Sequence, residues 1–259
     1  MKQGSSLICG SEDMVGLVPA AGKGVRLGLP YPKELYPIIQ ENRYKPVSQF
    51  VLDSLVASGL RHVVFVINET KHQLIGYFGD GHRFGCHVSY VVQEGNGDQS
   101  GSTSPGLANA LDSAYHLVKN KTVFFGMADT TMRPADVFGR AWATAQPGDD
   151  VMLVLFDTNR PYKFGMVRLD AENRVTEIID KPKHTDLTQM WGCIVWRPRF
   201  TEYLHDCVRR LGDSDFAQIL NGAVAAGFQI RGFPVSGGTY TDLGTYDEIM
   251  EMDSLFRNH

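Results

Sequence analysis

The sequence lacks three features that would each indicate a specialised class of protein. It has no basic excess, because 25 Lys and Arg stand against 29 Asp and Glu for a formal charge of −4. A dedicated nucleic-acid-binding protein needs a basic surface to meet phosphates. The sequence also has no apolar run near the ~18 residues that a membrane helix requires, and its polar N-terminus lacks the apolar core of a signal peptide. We therefore expect neither a nucleic-acid nor a membrane partner.

Cysteine is also scarce, and its spacing carries no metal signature. Cys9, Cys86, Cys193 and Cys207 lie far apart, with no C-x-x-C pair and no histidine at zinc-finger spacing. A chain of 259 residues can bury enough apolar surface to fold without a disulfide or metal. This cysteine usage predicts an intracellular, cytoplasmic protein.

Short apolar runs alternate with amphipathic stretches along most of the chain, which predicts a mainly parallel mixed sheet covered by helices on both faces. We expect a Rossmann-like three-layer α/β/α fold, with a flexible tail over residues 1–13 and one domain over residues 14–259. Predicted strands cover 15–18, 62–67, 88–92, 122–126, 151–156, 164–169, 174–179, 190–196 and 229–233. Predicted helices cover 47–58, 71–78, 106–118, 135–145, 200–211, 216–226 and 245–256. The strands over 164–179 predict a hairpin, with a mixed-sheet part from about residue 157.

A glycine-rich segment, Gly16–Gly28, follows the first predicted strand. Its glycines let backbone N–H groups converge on an anion, and Lys23 and Arg26 add positive charge. The loop lies at the carboxyl edge of a strand, where open α/β sheets bind ligands. Neither the P-loop pattern nor the dinucleotide fingerprint matches, since Gly24 follows Lys23 and three residues separate Gly24 from Gly28. Phosphate binding is favoured over a simple strand-to-loop turn.

Two further segments carry weaker signals. Lys33 stands in Pro32–Pro37 on a backbone restricted by proline, from which it could reach the same phosphates. Gln93 ends a strand, and Gly106 opens a helix whose free N–H groups carry partial positive charge. An amide at that edge can contact a base or a sugar. A solvated lysine and an ordinary strand-to-helix junction are the plain alternatives.

Acidic residues stand beside predicted strands or helices at three places. Asp129 comes directly after an apolar strand, and Asp242 precedes the last predicted helix. Two carboxylates together with substrate phosphates are typical of a Mg²⁺ site, although each Asp taken singly is more typical of a helix cap. Asp180 and Lys181 end another strand before Pro182, where they could bind hydroxyls and a second anion or form a solvated turn.

Together and in this order, these motifs resemble the nucleoside-diphosphate-sugar pyrophosphorylases, the sugar-1-phosphate nucleotidylyltransferases, with the glucose-1-phosphate thymidylyl- and uridylyltransferases most similar. The resemblance runs from about Met14 to Met250 and implies the nucleotide-diphospho-sugar transferase type of fold. It implies a nucleotide-binding half over residues 14–156 and a sugar-phosphate-binding half over residues 157–259. The implied reaction is that of a nucleoside triphosphate, with dTTP or UTP favoured, and a sugar 1-phosphate, giving an NDP-sugar and pyrophosphate.

The resemblance also implies a role for each motif. Catalytic roles fall to Arg26, Lys33 and Lys181; nucleotide binding to Ala20, Ala21, Gly22, Gly24, Gln93 and Gly106; sugar-phosphate binding to Gly165, Asp180 and Lys181; and Mg²⁺ binding to Asp129 and Asp242. The chain departs from the family pattern at Ala128, where glycine is usual, and at Asp180, where glutamate is usual. A homo-oligomer is compatible with the resemblance.

Three alternatives stay open at this point. The acceptor could be a non-sugar phosphate or phosphonate, such as a cyclitol, alditol or choline phosphate, which would not need Asp180. The chain could bind an NDP-sugar without turnover and regulate a partner. An unrelated NAD- or ATP-dependent α/β enzyme is least favoured, because its motifs are missing.

Overall fold

The computed structural model describes residues 13–24, 27–40, 43–94, 106–212 and 215–250. Nearly all of the predicted tail, Arg26 and the loop over residues 95–105 therefore lie outside the described residues. Within the described ranges, no helix combines the length and the apolar character needed to cross a bilayer.

The chain alternates strands and helices, as the apolar pattern predicted. The strands are β1 Met14–Pro19, β2 Pro37–Gln40, β3 Arg43–Pro46, β4 His62–Ile67, β5 His87–Val92, β6 Thr122–Gly126, β7 Thr130–Arg133, β8 Val151–Asp157, β9 Gly165–Leu169, β10 Val175–Asp180, β11 Gln189–Trp196, β12 Ile230–Pro234 and β13 Thr239–Asp242. The helices are α1 Val47–Ala57, α2 His72–Phe78, α3 Leu107–Asp112, α4 Tyr115–Val118, α5 Val137–Ala143, α6 Pro198–Leu211 and α7 Phe216–Ala225.

A nine-stranded mixed sheet forms the centre of the molecule, in the order β10-β9-β11-β6-β1-β4-β5, with β8 paired to β11 and β12 paired to β8. Strands β6, β1, β4 and β5 are parallel to one another. Strand β11 runs antiparallel to β6, β8 and β9, and β9 and β10 form the predicted hairpin. The change from parallel to antiparallel pairing occurs at the β6–β11 boundary, so the predicted α/β fold with a mixed sheet is confirmed.

Both faces of the sheet are covered, because its central strands are apolar on both sides. Along β4, Val64 and Val66 pack in one core and Val63, Phe65 and Ile67 in the other. The first core includes residues of α3, α4, α6 and α7, and the second includes residues of α1, α2 and α5. Continuous apolar runs are expected of parallel strands buried on both faces, and they produce the three layers.

The structure corrects two predictions of secondary structure. The single helix predicted over residues 106–118 is wrong, since α3 ends at Asp112 and α4 begins at Tyr115. At the break, the Ser113 hydroxyl donates to the Asn109 carbonyl oxygen at 2.8 Å, the type of local bond by which serine competes with regular helix. The sequence reading also missed four short strands, which form the β2–β3 and β7–β13 pairs.

Candidate active site

The carboxyl ends of the parallel strands meet at one edge of the sheet. After β1, the Ala20 N–H donates to the Val66 carbonyl oxygen at 2.7 Å, and after β5 the Gln93 N–H donates to that of Ile67 at 2.7 Å. The segment after β6 carries Asp129. Since β1, β4, β5 and β6 run in the same direction, the glycine-rich loop, Gln93 and Asp129 all leave the sheet at this edge, where α/β proteins bind ligands.

The second acidic residue reaches this edge through a short antiparallel ribbon. Strand β13 pairs with β7, with Asp242 opposite Thr130. The Leu243 N–H then donates to the Asp129 carbonyl oxygen at 2.9 Å. The ribbon therefore places Asp129 and Asp242 side by side, although 113 positions separate them in the chain (242 − 129).

The carboxylates of Asp129 and Asp242 repel each other in an environment largely shielded from water. Asp129 is buried, and Asp242 is partly buried. Burial, followed by the negative charges of Asp129 and Glu248, raises the pKa of Asp242 to about 7, and nearby Lys33 and Lys163 oppose the shift. Like charges in low dielectric favour the neutral form of one acid. A cation between the two carboxylates would remove this repulsion.

Lys33 projects toward the same acids from a 3₁₀ turn. The turn covers Lys33–Leu35, and the Lys33 ammonium donates to Asp129 Oδ2. Burial tends to lower the pKa of Lys33, but the neighbouring carboxylates, Asp129 first, outweigh burial and the pKa is raised. Lys33 is therefore held as a cation beside the acidic pair.

The β9–β10 hairpin supplies the opposite wall. Asp180 lies directly across the hairpin from Gly165, and the Lys181 N–H donates to the Phe164 carbonyl oxygen at 2.9 Å. Lys181 has a φ of 44°, a left-handed conformation that is unusual for a residue with a side chain and that clusters at functional sites. Its ammonium lies 3.3 Å from Asp180 Oδ2, and its side chain is 63% exposed.

Gly165 is required by close packing. A Cβ on Gly165 would lie 2.3 Å from Trp191 Nε1, far inside van der Waals contact. The absence of a side chain lets the β11 indole lie against the hairpin at the point where the cleft forms.

These groups border one cleft of about 610 Å³, which we call the central cleft. Seven of the predicted functional residues line it, and they come from both halves of the chain. They are Lys33, Gly106, Asp129, Gly165, Asp180, Lys181 and Asp242. Their convergence could not follow from any one motif, because it depends on the β7–β13 ribbon and on the switch in strand direction.

The predicted glycine-rich loop lies mainly beside the central cleft. Gly24, with a φ of 65° that suits glycine, and Lys23 line an adjoining cleft of about 250 Å³, which we call the lysine cleft, together with Lys33 and Lys71. Ala20, Ala21, Gly22 and Gln93 border neither cleft. The Arg26 prediction lies outside the described residues.

Sequence reasoning missed several residues of the central cleft. Trp191, Phe216 and Tyr240 give it aromatic walls, and Asp215 and Lys163 add charge. Asp215 could have been found as a helix N-cap, because its side chain caps α7 by accepting from the Ala217 N–H at 3.0 Å. Trp191 and Tyr240 lie in strands, and Phe216 begins a helix. Aromatic residues at such positions are typical of a protein core, so the sequence does not distinguish them as cleft residues.

The acidic pair suits a cation that is only partly held by protein. No group of three or more Asp, Glu, His or Cys able to hold a metal occurs in the part of the chain that the structure describes. Mg²⁺ commonly takes one or two protein carboxylates and completes its shell with substrate phosphates and water. Asp129 and Asp242 therefore fit such an ion in charge and chemistry.

Known proteins resemble this chain over most of its length. The model of the nucleotidyl transferase family matches residues 15–258. A glucose-1-phosphate thymidylyltransferase of Streptomyces griseus is 28% identical over 93% of this chain, which spans 66% of that protein. The chain spans just under two thirds of the length of the first curated relatives that it matches.

Solved structures share the fold. A putative glucose-1-phosphate thymidylyltransferase of Bacillus anthracis, solved with sucrose, superposes with a TM-score of 0.79 at 22% identity, covering 95% of this chain and 96% of that one. A UTP-bound UGPase of Acinetobacter baumannii gives a TM-score of 0.74 at 14% identity, covering 95% and 94%. The family match over nearly the whole chain confirms the resemblance inferred from the motifs: the chain belongs to the nucleotidyl transferase family.

Proposed function

We propose that this protein is a sugar-1-phosphate nucleotidylyltransferase that transfers a nucleotidyl group from a nucleoside triphosphate, dTTP or UTP in preference, to a sugar 1-phosphate. The observation that carries the proposal is the central cleft, in which Lys33, Asp129 and Asp242 on one side face Asp180 and Lys181 on the other. Cations for two phosphate groups and a pair of acids for a metal meet in that one cleft.

The nucleotide would lie along the carboxyl edge of the parallel strands. Backbone N–H groups of residues 21–24 and the side chains of Lys33 and Arg26 would bind the triphosphate. Gln93 and Gly106 would contact the base. The lysine cleft, with Lys23 and Lys33 at its border, has the charge needed to receive the pyrophosphate end.

The acceptor would lie against the β9–β10 hairpin. Asp180 would accept hydrogen bonds from sugar hydroxyls across from Gly165, and Lys181 would bind the sugar phosphate. In this position the phosphate oxygen of the acceptor attacks the α-phosphorus in line with the departing pyrophosphate. A sugar phosphate is already ionised near pH 7, so no protein base or covalent nucleophile is needed. Catalysis is then positioning and charge stabilisation.

Asp129 and Asp242 would hold Mg²⁺. When bound, the ion supplies neutralisation of the charge that develops on the triphosphate. Lys33, which donates to Asp129, keeps one carboxylate oriented and places its own positive charge beside the same phosphates.

A matrix of five nucleoside triphosphates against several sugar 1-phosphates, with Mg²⁺ present, tests the proposal through pyrophosphate release. We expect turnover with dTTP or UTP and a hexose 1-phosphate, and loss of turnover when the metal is chelated. Cyclitol, alditol and choline phosphates belong in the same matrix as alternative acceptors. Turnover only with one of these would move the assignment to the non-sugar acceptor class. Release from no pair by the folded protein would contradict the proposal.

A further inference from the structure

A buried ion pair lies directly behind Lys33. The Lys71 ammonium donates to Glu34 Oε1 at 2.6 Å, and the two side chains are only 4% and 3% exposed. Glu34 follows Lys33 in the same 3₁₀ turn. Lys71 stands just before α2 and borders the lysine cleft beside Lys33.

This pair is poorly suited to stabilising the fold. Burial raises the pKa of Glu34 and lowers the pKa of Lys71, so desolvation outweighs the attraction between them. The second carboxylate oxygen of Glu34 is buried and finds no hydrogen-bond partner among the described residues. Buried ion pairs with incomplete hydrogen bonding can often be replaced by neutral side chains of similar volume without loss of stability. A different role is needed to account for the pair.

Lys71 belongs to a short turn, Asn68–Lys71, that touches both predicted phosphate-binding segments. The Asn68 side-chain amide donates to the Ala21 carbonyl oxygen of the glycine-rich loop at 2.8 Å. The Lys71 N–H donates to the Asn68 carbonyl oxygen at 3.1 Å, which closes the turn. From the other end of the turn, Lys71 binds Glu34. The turn after β4 therefore connects the glycine-rich loop to the segment that carries Lys33.

The Lys33 turn has a second attachment on its other side. The Ser48 hydroxyl donates to the Glu34 carbonyl oxygen at 2.7 Å, from the first turn of α1. That bond fixes the backbone of Glu34, whereas Lys71 fixes its side chain. The two attachments together oppose a rotation of the turn that would move Lys33 away from Asp129.

We propose that Glu34 and Lys71 are positioning residues that hold the Lys33 turn in register with Asp129 and with the glycine-rich loop. The pair sets where the Lys33 ammonium stands and contributes little to the stability of the folded chain. This inference rests on the proposed function for its kinetic consequences, but its structural consequence can be measured separately.

The test compares wild type, Lys71→Met and the neutral double variant E34Q/K71M. Lys71→Met alone leaves a buried charge without a partner and can unfold the protein, so the double variant is decisive. We expect the double variant to keep the wild-type melting temperature or exceed it. We expect its kcat to fall about 10- to 100-fold, since small misplacements of a catalytic group have effects of this size, while KM for the acceptor phosphate stays within about twofold.

Lys45→Met is the matched control. It removes a lysine from the Lys45–Asp53 ion pair, which lies on β3 and α1 outside both clefts. The control should keep wild-type kcat. A double variant with wild-type kcat, or one whose kcat loss is matched by Lys45→Met, would overturn the inference.

Amide hydrogen exchange separates this inference from the proposed function. The Leu35 and Tyr36 N–H groups donate to the Pro32 and Lys33 carbonyl oxygens at 2.9 Å each and so report the order of the turn. We expect both amides to exchange at least about tenfold faster in the double variant and at the wild-type rate in Lys45→Met. Unchanged exchange would overturn the inference even in an active enzyme. If the wild-type protein shows no turnover, but the two amides still exchange faster in the double variant than in wild type, the proposed function is contradicted and the positioning role is supported.

Discussion

Asp129→Asn is expected to lower the rate of pyrophosphate release about 10²- to 10³-fold, the range found when one preorganised electrostatic group is removed. The substitution keeps the shape of the side chain but removes the charge that receives the Lys33 ammonium and faces Asp242. An amide oxygen is also a weaker ligand for Mg²⁺ than a carboxylate. The measurement is kcat/KM for the best substrate pair, with saturating metal.

Asp136→Asn provides the control for this variant. Asp136 is the residue before α5, pairs with Arg140 of that helix in an i,i+4 arrangement near the surface, and borders neither cleft. Ion pairs of this kind at the surface contribute little to the stability of the fold, so the control should retain wild-type activity. Near-normal activity of Asp129→Asn would remove the acidic pair from the mechanism.

Lys181→Ala is expected to lower kcat/KM for the acceptor by a similar ~10²- to 10³-fold. Its ammonium is the cation nearest Asp180 on the hairpin wall, at 3.3 Å, and we assign it to the acceptor phosphate. The substitution should lower kcat/KM for the acceptor and leave binding of the nucleoside triphosphate nearly unchanged. Steady-state kinetics with each substrate varied in turn separate the two effects.

Two companion variants distinguish the charge of Lys181 from its backbone. Lys181→Gly suits the left-handed φ of 44° and should be at least as stable as wild type but as impaired as Lys181→Ala. Lys183→Ala removes a lysine two positions along that borders neither cleft and should be active. Equal activity of Lys181→Gly and wild type would show that Lys181 does not contact the acceptor.

The strands of the main sheet and the helices that cover it could be predicted from the sequence, because the apolar residues follow a clear period in both. The predicted β4 and β6 agree with the structure at both ends. Both strands are buried on two faces, so each reads as a continuous apolar run between polar turns. The three-layer arrangement follows from that pattern and from the amphipathic helices between the strands.

The short strands could not be predicted in the same way. Strands β7 and β13 have four residues each, and their sequences, Thr130–Arg133 and Thr239–Asp242, carry little apolar alternation. Their pairing is a long-range contact that depends on the rest of the fold. This pairing brings Asp242 to Asp129. Each acid could be predicted from its own motif, but that the two lie side by side was a separate hypothesis.

The Lys33 surroundings were beyond sequence reasoning for a related reason. The position of Lys33 between prolines indicates only that it could reach the phosphates, and its catalytic role is implied by the family resemblance. Nothing local to Glu34 or Lys71 indicates that they form a buried pair, because a charged residue in a loop is usually solvated. The pair forms only when the turn after β4 packs beside the turn before β2.

The most direct test of a shared site is a double-mutant cycle on Asp129→Asn and Asp242→Asn, with pyrophosphate release as the readout. If the two carboxylates hold one cation, the first substitution disables the site and the second adds little, as for residues that act as a unit. We predict that the double variant has about the activity of the weaker single variant. Losses that multiply, as they do for independent sites, would contradict the claim that the two acids act on one ion in one cleft.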